Sequence, residues 1–144
     1  MSEFEPGRPQ PLSLSQLTQL VGNALRLSPQ LRGTWVVAEL SDVRISGGHC
    51  YMELVEKNPA GAVVAKIRAN IWSSSFARIN HAFRTATGRD IASGMKVMVA
   101  GRVDHHNVYG ISFNITDIDP SYTLGDIERL RREILQRLAA EGVA

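Results

Sequence analysis

The chain has 144 residues, 44% of them hydrophobic and 21% charged, with a formal net charge of +2. That is enough chain for one domain with its own core. A single cysteine excludes an internal disulfide, no run reaches the roughly eighteen apolar residues of a membrane helix, and Met1–Pro11 has no apolar centre of a secretory signal, so a cytoplasmic setting without membrane contact is expected.

Three prolines crowd residues 1–11, which are expected to form a disordered tail. Ser13 is a helix N-cap with Gln16 three residues on, the spacing of a capping box. Leu14, Leu17, Leu20, Val21, Ala24 and Leu25 follow at helical spacing, and Pro29 ends the helix by Ser28. This stripe predicts a lid packed on a sheet.

Gly33 opens a long strand over 34–45, with Val36, Ala38 and Leu40 on one face and Trp35, Val37 and Glu39 on the other. Trp35 is expected in the core, against the helix stripe. Ser46-Gly47-Gly48 turns into a hairpin from Gly48 to Trp72, around the turn Asn58-Pro59-Ala60-Gly61. In its first strand Cys50, Met52 and Leu54 alternate with His49, Tyr51 and Glu53; in its second Ala65, Ile67, Ala69 and Ile71 alternate with Lys66, Arg68, Asn70 and Trp72. Cys50 falls in the apolar set, as a buried, inert thiol would.

Ser73 or Ser74 caps a helix carrying Phe76, Ala77, Ile79, Asn80 and Phe83, which ends before Gly88. Arg78 and Arg84 lie on its polar part. Strands follow over 95–104, with Val97, Val99, Gly101 and Val103 inward, and over 109–118, with Ile111, Phe113 and Ile115 inward. His105-His106-Asn107 is the turn between them. A last helix is expected near Thr123 as N-cap, with Ile127, Leu130, Ile134, Leu135 and Leu138 in its stripe and Glu128–Arg132 and Glu133–Arg137 as ion pairs.

The order is therefore mainly β with flanking helices. Five strands with a helix between the third and fourth, plus an N-terminal and a C-terminal helix, predict a five-stranded OB-fold barrel. No catalytic constellation, phosphate loop or paired cysteine site accompanies it. Asp104, His105 and His106 are a poor metal set at a hairpin tip, and Asp117 with Asp119 would make a poor cage. No metal, cofactor or catalytic residue is expected.

From Ala60 to Asp104, seven basic residues (Lys66, Arg68, Arg78, Arg84, Arg89, Lys96, Arg102) face two acids, Asp90 and Asp104, a local net of +5. The polar face of the central hairpin adds His49, Tyr51 and Trp72. Aromatic planes among cations suit a single nucleic-acid strand, whose bases stack while its backbone is neutralised. The alternative is an ordinary half-solvated sheet face, and Trp72 could equally pack beneath the helix it precedes.

Five segments together resemble the large subunit of bacterial exodeoxyribonuclease VII. They are Pro11-Leu12-Ser13-Leu14-Ser15-Gln16-Leu17; Leu31-Arg32-Gly33-Thr34-Trp35-Val36-Val37-Ala38-Glu39-Leu40-Ser41; Ser46-Gly47-Gly48-His49-Cys50-Tyr51-Met52-Glu53-Leu54; Gly94-Met95-Lys96-Val97-Met98-Val99-Ala100-Gly101-Arg102-Val103; and Leu138-Ala139-Ala140-Glu141-Gly142. They occur in the family's order and span nearly the whole chain after the tail.

The resemblance implies an N-terminal OB-fold over 12–121 that binds single-stranded DNA, and a helix over 122–144 leading to a catalytic region that this chain lacks. It also implies a small helical subunit as partner, in several copies, and degradation of single-stranded DNA to oligonucleotides by the assembled enzyme. The expected groove has Trp72, Tyr51 and His49 for stacking and Arg44, Lys66, Arg68 and Arg102 for phosphates. Where the family often carries a Tyr after the fourth strand, this chain has Asp104-His105-His106, so stacking there would pass to His106 or Tyr109. Affinity should fall steeply with salt. An RNA-binding OB-fold and a protein-interaction module docking through its helices are the other classes.

Overall fold

The fold is that of a computed structural model, in which residues 9–142 are described. Helix α1 (Leu14–Leu27) leads through a short 3-10 turn (Pro29–Leu31) into strand β1 (Thr34–Ser46). Strands β2 (His49–Lys57) and β3 (Val63–Ile71), helix α2 (Ser73–Thr87), strands β4 (Lys96–His106) and β5 (Gly110–Asp119), and helix α3 (Pro120–Glu141) follow. The strands close a barrel in the order β1-β2-β3-β5-β4. All pairings are antiparallel except the β3–β5 contact from Arg68–Ser112 to Asn70–Asn114. This is the expected five-stranded OB-fold with its three helices.

Closure depends on β1 serving two partners. Thr34–Glu39 pair with β4, and Glu39 to Ser41 and Arg44 to Ser46 pair with β2, with a register break between Ser41 and Arg44. Asp42 sits in that break at φ 53°, a left-handed conformation that Asp tolerates better than most residues, and the bulge bends the strand round the barrel. The β1–β2 turn has Gly47 and Gly48 at φ 60° and 81°, as a two-residue hairpin turn requires.

The inward alternation predicted for each strand holds at the centre. Leu40, Cys50, Ile71, Val97 and Val99 are wholly buried, and Met52, Leu54, Ala69, Phe113 and Ile115 join them. Ile79 and Phe83 of α2 complete this core, each contributing about 2 kcal/mol or more by burial. A second register break, between Ala100 and Gly101, leaves Thr116 without an opposite residue, so Ile115 and Ile118 both turn inward.

Several expectations are corrected. The α1 capping box at Ser13 and Gln16 is present, but its stripe is not a packed lid: Leu14, Leu17, Leu20 and Val21 are exposed, and only Gly22 of the helix is buried. Trp35 is 49% exposed rather than core, because it and Val37 lie on the outer face of β1, opposite Ala100 and Met98, where none of the described helices covers them. β4 runs on through His106, so the turn is Asn107–Tyr109. Ile111, near the barrel rim, is exposed.

Helix α2 takes Trp72 as N-cap, with no side-chain cap from Ser73 or Ser74. Helix α3 starts at Pro120, with the Asp119 carboxylate accepting from Ser121 N at 2.9 Å. An Asp cap followed by Pro at the first helical position outcompetes Thr123. Thr123 is buried inside the helix instead, its hydroxyl donating to Lys96 O at 2.9 Å. Glu128–Arg132 and Glu133–Arg137 do not pair among the described residues; Arg129 links Asp126 and Glu133 at 3.0 and 2.7 Å.

Candidate nucleic-acid interface

A cleft of about 380 Å³ opens where β2 and β3 meet the β4–β5 tip. Tyr51, Met52, Glu53, Arg68, Ala69 and Asn70 line it from β2 and β3, Asp42 and Arg44 from the bulged end of β1, and Asp104, His105, His106, Tyr109, Gly110 and Ser112 from the tip. Trp72 stands at the junction with α2 and completes the lining.

Period-two alternation puts His49 and Tyr51 on the outer face of β2, and antiparallel pairing sets Tyr51 against Asn70. Trp72 follows β3 directly. The result is a cluster of three rings: His49 and Trp72 are 5.2 Å apart between centroids, His49 and Tyr51 6.1 Å, and Tyr51 and Trp72 6.5 Å. The interplanar angles run from 65° to 89°, so no ring lies face to face on another. Trp72 is 43% exposed. His49 has a second task, its Nδ1 accepting from Ser73 N at 2.9 Å. This ring from β2 caps α2 in place of a local serine.

The opposite wall is self-braced. His106 Nδ1 accepts from Val108 N and Tyr109 N at 3.0 and 3.3 Å, and the His106 and Tyr109 rings lie 4.7 Å apart at 30°. Gly110 has φ 79°, and a Cβ there would stand 4.0 Å from Arg68 Nη2. The Arg68 guanidinium thus reaches from β3 to the tip.

Of the residues predicted from the sequence, Arg44, Tyr51, Arg68, Trp72, His106 and Tyr109 all line this cleft, and His49 touches it through Tyr51 and Trp72. Lys66 and Arg102 do not line it. Lys66 is paired with Glu53 at 3.4 Å beside a neighbouring depression. Nor is the cleft uniformly basic: Arg44 and Arg68 share its lining with Asp42, Glu53 and Asp104, and Arg44 stands 4.0 Å from Asp42. The cations that cluster along the chain are parted by the fold. Arg84 projects from α2, 3.8 Å from Asp90.

Asn70 was in the polar set but carried no signal that singled it out. It is 5% exposed, lines the cleft, and its Nδ2 has no hydrogen-bond partner among the described residues. Among the described residues no three His, Cys, Asp or Glu side chains are grouped to hold a metal ion. Cys50 is fully buried, and burial pushes its thiol up from 9.0 to about 11, which removes it as a nucleophile. No described helix is long and apolar enough to cross a membrane.

Residues 12–119 match the model of the OB-fold nucleic acid binding domain family. The chain belongs to that family. The chain is 37% identical over 145 aligned positions to the exodeoxyribonuclease 7 large subunit of Deinococcus radiodurans, covering 96% of this chain and 34% of that protein. The large subunit of the same name from Leptospira interrogans is 27% identical over 135 positions, covering 92% and 29%. The chain thus spans about a third of the length of these relatives, whose name is the one its five sequence segments pointed to. Among solved structures, a mitochondrial single-stranded DNA binding protein of S. cerevisiae aligns with this chain at 13% identity and a TM-score of 0.43, covering 62% of this chain and 92% of its own.

Proposed function

We propose that this OB-fold domain binds single-stranded DNA in the cleft between β2–β3 and the β4–β5 tip, and does so for an exodeoxyribonuclease VII large subunit. The observation that carries this is the ring cluster of His49, Tyr51 and Trp72 at the cleft, with Arg44 and Arg68 beside it. Bases stack on Trp72 and Tyr51, and the two guanidinium groups meet phosphates. Stacking of this kind tolerates any base. His106 and Tyr109 form the facing wall. His49 packs edge-on with Trp72 and holds the start of α2 beside it through Ser73 N. In the whole protein the domain hands single strands to a phosphodiester-hydrolysing region that works with the small subunit in the cytoplasm and releases oligonucleotides.

The test is fluorescence anisotropy with labelled oligo(dT) of about 15 nucleotides, against duplex DNA and a matched RNA strand. Single-stranded DNA should bind best. Trp72→Ala should weaken it by roughly 10-fold, from about 1–3 kcal/mol per stacked base. Arg68→Ala should also weaken it at low salt; unchanged affinity there would show the strand lies elsewhere. Tighter binding of the RNA would move the domain to the RNA-binding class.

A second role rests on α3. Leu130, Ile134, Leu135 and Leu138 are all exposed along it. That stripe suits docking against the remainder of the large subunit. The two roles use different faces and are compatible.

A further inference from the structure

The cleft has a deficit that its neighbour makes good. Three acids line it against two arginines, so a strand stacked there meets little positive charge. Behind the β4–β5 tip lies a second cavity of about 310 Å³, lined by Gln19, Gly22, Arg26, His105, His106 and Asn107. Its lining contains no acid. His105 and His106 line both cavities, so the two lie against the same β4–β5 tip.

The second cavity owes its shape to Gly22, the one buried residue of α1. A Cβ placed there would lie 3.3 Å from His105 Nδ1, 3.4 Å from Arg26 Nη1 and 3.7 Å from Arg26 Nη2. A guanidinium from α1 and an imidazole from β4 therefore converge over a position with no side chain. Arg26 donates to the neutral Asn23 amide oxygen and forms no ion pair with a carboxylate among the described residues. Asp104 is the neighbouring acid; its Oδ1 accepts from His105 N at 2.8 Å, and it lines the cleft rather than this cavity.

We infer that a single strand leaving the aromatic cleft passes over the β4–β5 tip and seats a backbone phosphate between Arg26 and His105. The inference rests on the cleft as the stacking site and extends it onto α1. Arg26 supplies a forked, permanently charged donor pair suited to a phosphodiester. His105 adds a ring N–H when Nδ1 carries the proton. Gly22 keeps the approach open.

Two oligo(dT) lengths separate this from the cleft itself: about 5 nucleotides, enough for the cleft, and about 15, enough to go round the tip. Arg26→Ala, on an exposed helix position where Ala favours the helix, should weaken the longer strand roughly 3–10-fold and leave the shorter one unchanged. The slope of log affinity against log salt for the longer strand should shrink by about 0.7, one single-strand phosphate contact. Gly22→Ala, whose methyl would enter the convergence, should reproduce the loss without lowering helical content by circular dichroism.

An Arg26→Ala protein that binds the longer strand with unaltered affinity and slope, while Trp72→Ala weakens both lengths, would overturn the path over the tip and leave the cleft standing. Equal losses on both lengths would place Arg26 in the cleft's own contacts and also overturn it. If Trp72→Ala affects neither length, the cleft falls and the path with it.

Discussion

Gly101 shows how little freedom a single position in this barrel has. A Cβ there would fall inside contact distance of Asn114 O and 2.8 Å from Phe113 Cε2. Backbone and a buried ring on both counts leave nothing flexible to give way. Gly101→Ala should therefore destabilise the fold by about 3 kcal/mol, read from the urea midpoint. Cys50 makes a second prediction at this scale. Its folded thiol sits at about 11 against 9.0 for the free group, so the folded state holds its proton more tightly. That contribution to stability is complete below about pH 9 and is lost as pH rises from 9 towards 11. Cys50→Ser or Cys50→Ala should flatten the stability-versus-pH curve in that window, and the native thiol should react with a disulfide reagent at pH 8 only as fast as the protein unfolds.

Among the elements, the helix starts divide by the origin of their caps. The α1 cap is Ser13 with Gln16, four consecutive residues, and it was legible because everything it needs is local. The α2 cap comes from His49, 24 positions away along the chain. A serine pair at 73 and 74 suggested a local cap, and the β2–β3 pairing supplied a different acceptor. His49→Ala should cost about 1 kcal/mol of stability, and His49→Asn, which keeps an acceptor, should recover part of it in thermal melts. Both should also bind oligo(dT) less well, since the ring that packs on Trp72 is gone. The apolar stripes of α1 and α3 carry the complementary lesson. Their spacing identified helices, but periodicity reports only that a face is apolar. Whether another element reaches that face depends on where the barrel places the helix, and for Leu14, Leu17, Ile134 and Leu138 none of the described elements covers it.

For the molecule as a whole, charge along the sequence and charge in space part company. The stretch from Ala60 to Asp104 has a local net of +5, yet the cleft collects Arg44 and Arg68 with three carboxylates. Strands alternate faces and α2 turns its cations outward, so neighbours in sequence end on different surfaces. If two arginines are the cleft's phosphate contacts, the single-strand salt slope they produce is about −1.4, and the full strand including Arg26 should approach −2. The steep dependence suggested by counting basic residues, including Lys66 and Arg102, would give a larger slope, so anisotropy titrations between low and moderate salt distinguish the two.

The sequence by itself determined the barrel. Period-two alternation, paired glycines at turns and the order of strands and helices are all local or serial features, and burial of one face per strand leaves few ways to assemble them. It also placed Tyr51, Arg68 and Trp72 among the candidates, because side chains on the outer face of a strand can be read from parity, while Arg44, His106 and Tyr109 entered with the groove that the family resemblance implied. Only the tertiary structure decided which of those candidates meet. Lys66 and Arg102 obey the same parity but lie outside the cleft, Trp35 faces solvent because none of the described helices crosses β1 there, and Asn70, paired in the sheet between Tyr51 and Asn114, is buried with its Nδ2 unpartnered among the described residues. Cleft walls are built from β1, β2, β3 and the β4–β5 tip at once, and distance between strands is set by bulges and closure, which no window of sequence contains.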